Sequence, residues 1–153
     1  MKCPTCYLTE GPLGFALILL AAVVMIRSVS GGGVAPVPPM FDKAVTLDAA
    51  VAESGQSGKP VFAFVTADWC GPCQAFKRGA LSDPSVVKYV STNTEPVYID
   101  GDEHPDLVQS LGVTGFPTVV LISDGQIVAG RSGVMNAPSL LSWLGSTIEP
   151  TDE

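Results

Sequence analysis

Two apolar patterns divide the chain. Residues 13–26 form an unbroken run of 14 without a charge, whereas the later part alternates short apolar stretches with polar ones. Between them lie Gly31-Gly32-Gly33 and Pro36-Val37-Pro38-Pro39, flexible first and stiff afterwards, which reads as a linker. Beyond it, Thr46 caps a helix expected over 47–53, with Leu47, Ala50 and Val51 on one face, and Ser54-Gly55-Gln56-Ser57-Gly58 ends it. Residues 61–66 are continuously apolar, β-branched and aromatic, the pattern of a central strand covered on both faces. A helical stretch through Phe76, Lys77 and Ala80 follows, with Pro72 in its first turn, where a missing N–H costs nothing. Asp83-Pro84 opens a helix that turns Val86, Val87 and Val90 inward.

The second half continues in the same way. Strands are expected over 97–99, 118–122 and 126–129, with a helix over 105–111 that Gly112 stops. Asp124-Gly125 is a strong hairpin signal, and Asn136 caps a last helix whose apolar face is Leu140, Leu141, Leu144 and Ile148. The order α-β-α-α-β-α-β-β-α makes the early strands parallel and the last two an antiparallel hairpin. The fold class is α/β, with one mixed sheet of four to five strands and helices on both faces.

Composition sharpens the division. Apolar residues are 46% of the 153 and charged residues 15%, and the excess comes from the first segment. Residues 1–35 hold Lys2, Arg27 and Glu10, net +1, so residues 36–153 carry −8 of the total −7. A domain so acidic repels nucleic acid and anionic lipid. Fourteen apolar residues suit a signal-peptide core; extended to Val29 the run reaches the low end of a membrane span, about 17. A cleaved signal, with Ser28-Val29-Ser30-Gly31 offering small residues to a peptidase, and an uncleaved anchor over 13–29 both remain open. The 12 residues ahead of the run, with their own cysteine pair, favour the anchor. Either way the acidic domain is expected outside the cytoplasm, periplasmic or extracellular. The expected division is 1–30 signal or anchor, 31–40 linker and 41–153 globular domain.

Four cysteines form two C-x-x-C pairs, too few for a disulfide scaffold. Cys3-Pro4-Thr5-Cys6 is half a zinc ribbon without a second half, and the single histidine, His104, lies far along the chain, so no metal is expected. Trp69-Cys70-Gly71-Pro72-Cys73 sits where a buried strand ends and a helix begins. A two-residue spacer lets the two sulfurs meet in a small-ring disulfide. The helix N-terminus offers unpaired N–H groups and a positive dipole to the first sulfur, lowering its pKa. Cys70 is therefore the expected nucleophile and Cys73, one turn in, the resolving thiol. Trp69 is the expected flat apolar rim for substrate. Asp68 is a solvated acid close enough to tune Cys70 upward slightly. The acidic group Asp100, Asp102, Glu103 and Asp106 matches no calcium-loop spacing and reads as a solvated loop, with His104 on its surface. Trp143 reads as helix packing.

Trp69 to Cys73 resembles the active site of the thioredoxin family, and Gly115-Phe116-Pro117-Thr118 resembles its cis-proline loop. The resemblance spans residues 42–148 and implies a thioredoxin fold and a cis peptide at Phe116–Pro117. It also implies that Gly71, Pro72, Phe116 and Pro117 join Trp69 in binding substrate. Ala67-Asp68-Trp69-Cys70, Phe76-Lys77 and Leu81-Ser82-Asp83-Pro84-Ser85-Val86 are similar to the C-terminal domain of the DsbD disulfide-interchange proteins, which are exported and reducing. The chain departs from that subgroup in its Gly-Pro spacer and lacks the multi-helix membrane region. It departs from cytosolic thioredoxin by placing Phe64 where a buried aspartate assists the second cysteine, leaving Cys73 to water or substrate. The 43 residues between Cys73 and Pro117 leave little room for the insertion of cytochrome-maturation relatives.

The expected activity is reduction of protein disulfides through Cys70 and Cys73. It needs no cofactor beyond that redox disulfide, and it uses an upstream thiol donor that a membrane protein could supply. The competing expectations are a non-catalytic binding module, a disulfide oxidant or isomerase, and a thiolate metal carrier.

Overall fold

Val61–Thr66 has no polar face, and the fold is organised around hiding both of its sides. The computed structural model describes residues 33–41, 43 and 45–148, with six further positions at 16, 18–21 and 23. The chain divides into two units, Met1–Gly33 and Val34–Glu153. In the first, positions 16, 18–21 and 23 are helical and exposed. Cys3, Cys6 and most of the 13–29 run lie outside the described residues. No helix among the described residues is long and apolar enough to cross a membrane.

The second unit runs α1 (Leu47–Ser57), β1 (Val61–Thr66), α2 (Gly71–Arg78), α3 (Pro84–Asn93), β2 (Glu95–Asp100), α4 (Pro105–Ser110), β3 (Thr118–Ser123), β4 (Gln126–Ser132) and α5 (Ala137–Ile148). The sheet has four strands in the order β2-β1-β3-β4. β1 pairs with β2 in parallel, Val61 opposite Glu95 and Thr66 opposite Asp100. β3 is antiparallel to β1, so the parallel expectation stops at β2, and β4 is antiparallel to β3. The hairpin turns at Asp124 (φ 51°) and Gly125 (φ 71°), the left-handed pair that a tight two-residue connection requires.

Side chains alternate across β1, and each face meets its own helices. Phe62 and Phe64 join Phe76, Leu81, Val86, Val90, Leu140 and Leu144, the side covered by α2, α3 and α5. Val61, Ala63 and Val65 join Ala50, Val97, Ile99, Val120 and Ile122 on the side of α1 and α4. Full burial of each large side chain stabilises by about 1.5–3 kcal/mol. Trp143 packs against the first of these clusters, as helix packing predicts.

The Pro-rich stretch is not all linker. Ala35, Met40 and Phe41 are buried, and a single turn over Pro39–Phe41 presses Phe41 against Phe62, Phe64 and Tyr98 at ring separations of 6.2, 6.0 and 5.8 Å. Val34 onward thus belongs to the globular unit, and the boundary drawn at 41 is about seven residues late. The reason is that stiff prolines hold Met40 and Phe41 over an aromatic cluster that would otherwise face water. α1 also runs to Ser57 rather than 53, because Gly58 in the left-handed region (φ 72°) returns its N–H to Ser54 O and makes the cap.

Candidate active site

The ends of β1 and β2 and the start of α2 assemble the site. β1 hands the chain to the loop Ala67–Trp69, and α2 starts immediately after Cys70. Cys70 is the N-cap of α2, and its Sγ accepts a hydrogen bond from Cys73 N at 3.1 Å. A sulfur in that position is held where the helix donors and dipole favour the thiolate. Cys70 and Cys73 are joined in a disulfide, with S–S 2.07 Å and Cα–Cα 5.2 Å. Cys70 retains 4% exposure and Cys73 none, so the first cysteine is the more accessible of the two.

Around the disulfide the surface is apolar and open. Trp69 is 71% exposed, and its indole N–H donates to Asp102 Oδ2 at 2.8 Å. Its ring meets Phe116 edge-on at 6.0 Å, and Phe116 also packs on Ala67, Cys70 and Cys73. The Phe116–Pro117 peptide is cis, and Pro117 O accepts from Gly133 N at 2.8 Å. Thr118 Oγ1 donates to Gly115 O at 2.7 Å, closing this loop at the head of β3. Gly71 and Pro72 are exposed in the first turn of α2. The structure therefore gathers Trp69, Cys70, Gly71, Pro72, Cys73, Phe116 and Pro117 at one end of the sheet. Gly101 is part of this construction: a Cβ there would overlap the tip of the Phe116 ring, so only glycine admits the ring so close. Gly101 N in turn donates to Thr66 O at 2.8 Å, tying the ends of β2 and β1.

Residues 47–148 match the family described as the thioredoxin-like domain. The chain belongs to that family. It is 30% identical to the protein disulfide isomerase-like 1-3 of Arabidopsis thaliana over 118 residues, 76% of this chain and 20% of that protein. It is 34% identical to the thiol:disulfide interchange protein DsbD of Yersinia enterocolitica over 104 residues, 64% of this chain and 18% of that protein. The chain thus spans about a fifth of the length of these two relatives. Among solved structures, a thioredoxin from Halobacterium salinarum aligns with TM-score 0.53 and 29% identity, over 70% of this chain and 89% of that one. The DsbH oxidoreductase aligns with TM-score 0.64 over 82% and 99%, and at 21% identity it supports the fold alone.

This thioredoxin-like chain accordingly belongs to a disulfide oxidoreductase family and carries a disulfide in the C-x-x-C spacing. Among the described residues no group of three or more His, Cys, Asp or Glu is placed to hold a metal ion. A cavity of about 470 Å³ lined by Phe41, Val45, Leu47, Val97, Ile99 and Leu107 lies beside β2, and neither cysteine lines it.

Two residues of the site escape sequence reasoning. Gln74, buried, accepts from Ala35 N through Oε1 at 2.6 Å and donates through Nε2 to Asp68 O at 3.0 Å, joining the N-terminal segment to the loop before Cys70. Lys77, whose side chain is 1% exposed, donates to Tyr98 OH at 3.2 Å and lies 3.8 Å from Asp68 Oδ1. Burial pulls the Lys77 pKa down, while Asp68 and Asp100 pull it back. Burial, aided by the same two carboxylates, pushes Tyr98 up to about 12. The signal was available: Lys77 falls four residues after Cys73, on the face that also carries Phe76 and Ala80.

Proposed function

We propose that this chain is an extracytoplasmic reductase of protein disulfides, with Cys70 as nucleophile and Cys73 as resolving thiol. The observation that carries it is the Cys70–Cys73 disulfide at the N-terminus of α2 beside an exposed tryptophan. In the reduced chain the Cys70 thiolate attacks one sulfur of a partner disulfide; that bond breaks and the other partner sulfur leaves as a thiolate. Cys73, deprotonated, then attacks Cys70 Sγ; the mixed disulfide breaks, the partner's second sulfur departs and the Cys70–Cys73 disulfide forms. Two electrons pass to the partner, and an upstream thiol donor restores the dithiol. Trp69, Gly71, Pro72, Phe116 and Pro117 present the apolar surface on which the partner docks. The apolar run of residues 13–29 is read as a signal or membrane anchor that places the acidic domain outside the cytoplasm, in line with the similarity to DsbD.

Full-length chain in mild detergent, supplied with dithiothreitol, should reduce insulin, and Cys70→Ser should abolish this. Cys73→Ser should accumulate mixed disulfides through Cys70. Equal insulin reduction by the parent and Cys70→Ser chains leaves only a binding module. The redox potential of the pair fixes the direction: a value near about −270 mV supports a reductant, and one near about −120 mV an oxidant.

A further inference from the structure

The resolving step needs the thiolate of Cys73, and the residues it clusters with do not favour one. Cys73 is fully buried and clusters with Ala67, Cys70 and Phe116, and a thiol in apolar surroundings has its pKa raised. Phe64, fully buried in the middle of β1, supplies no acid or base. Among the described buried residues other than cysteine, Lys77 is the one that ionises.

Its placement is specific. Lys77 stands one helical turn after Cys73 on the same face of α2, and both are buried. Helical side chains lean toward the N-terminus, so the lysine stem carries its ammonium forward, toward the level of Cys73. There Asp68, two residues ahead of Cys70, holds it at 3.8 Å and Tyr98 OH accepts from it at 3.2 Å, with the Tyr98 ring centroid 5.7 Å away. Thr66, at the end of β1, brings a buried hydroxyl without a hydrogen-bond partner of good geometry close to the same phenol. A methionine or leucine would fill this space at lower desolvation cost, so packing alone does not explain a cation here.

We propose that Lys77 is a positioning residue for the thiol chemistry, its shielded ammonium stabilising the thiolate of Cys73; this rests on the dithiol reading above. The groups facing the ammonium are Asp68 from the loop, Tyr98 and Asp100 from β2 and Arg78 from α2 itself, while Glu103 acts on Tyr98. The Asp68 carboxylate is 59% exposed, so water screens its opposing charge, while the 1% exposed lysine keeps its influence on the buried side. Lys77 retains its own proton throughout. The Cys73 proton leaves to water, Cys73 attacks Cys70 Sγ, and the departing partner thiolate takes up a proton from solvent.

The test is the pH dependence of Cys73 alkylation in the full Cys70→Ser chain, read on the Cys73 peptide by mass spectrometry. Adding Lys77→Met should raise the Cys73 pKa by roughly one unit, about a tenfold fall in thiolate at fixed pH. Lys77→Arg, which keeps the charge, should return it close to the parent. If Lys77→Met does not fold, Lys77→Gln decides by the same criterion. A folded neutral variant with an unmoved Cys73 pKa overturns the proposal, and so do Met and Arg variants shifted equally. Mixed-disulfide trapping by Cys73→Ser with Lys77 intact tests the dithiol reading separately. No trapping sinks that reading; trapping with an unmoved pKa sinks only the part given to Lys77.

Discussion

Gly101→Ala should loosen the substrate rim without touching a cysteine. The added methyl would overlap Phe116 Cζ and stand 2.9 and 3.2 Å from Cε1 and Cε2. Carbon atoms rest at about 3.5–4.0 Å, so the ring must withdraw by about 1 Å. It then loses its edge contact with Trp69, worth about 0.5–1.5 kcal/mol, and uncovers part of the disulfide. If half to all of that is spent in docking, kcat/KM for insulin reduction falls about two- to tenfold. Overpacking costs about 1–3 kcal/mol of stability, which urea unfolding separates from the catalytic effect. Trp69 fluorescence should report the displaced ring. Phe116→Ala sets the ceiling: the double variant Gly101→Ala/Phe116→Ala should be no slower than Phe116→Ala alone, because both changes act through one ring. A Gly101→Ala chain with altered Trp69 fluorescence and unchanged kcat/KM refutes the role given to Phe116. Additive losses in the double variant refute the route through it.

Two further outcomes follow from the core and the titrating groups. Phe64→Ala should cost about 3–5 kcal/mol in urea unfolding, since the ring is fully buried against Phe41, Phe76 and Tyr98; a loss under about 1 kcal/mol contradicts the packing described. Tyr98 holds its proton to about 12 in the folded chain, against an ordinary 10, so the folded form binds the proton more tightly and stability should fall as pH rises from 10 to 12. Tyr98→Phe should flatten that fall, and parallel losses in both chains would show that Tyr98 ionises freely.

What the sequence revealed and what it hid have separate physical causes. The apolar run Val61–Val65 of β1, the Asp124-Gly125 turn, and the strand end followed by Cys70 with Pro72 in the next turn are local signals that no tertiary contact contradicts. The direction of β3 was hidden because alternating strands and helices suggest a parallel neighbour, whereas the chain re-enters through the cis-proline loop from the opposite end. The extra turn of α1 was hidden because Ser54 and Gly55 look like breakers. Burial of Ser54, whose hydroxyl donates to Lys59 O at 2.6 Å, overrides that preference. Proline density disguised Val34–Phe41 as linker, since composition records stiffness but not the aromatic surface it is laid against. Lys77 was visible as a letter and not as a buried charge, because a lysine on a helix is ordinarily solvated.

The clamp at Gln74 gives the domain a defined mechanical entry point. A pull arriving from the N-terminal side loads the Ala35 N to Gln74 Oε1 bond before it reaches Met40 and Phe41 in the core. The same glutamine grips Asp68 O, so tension on the segment before Ala35 is felt two residues from Cys70. Strain in one direction and thiol reactivity in the other therefore share a single amide side chain.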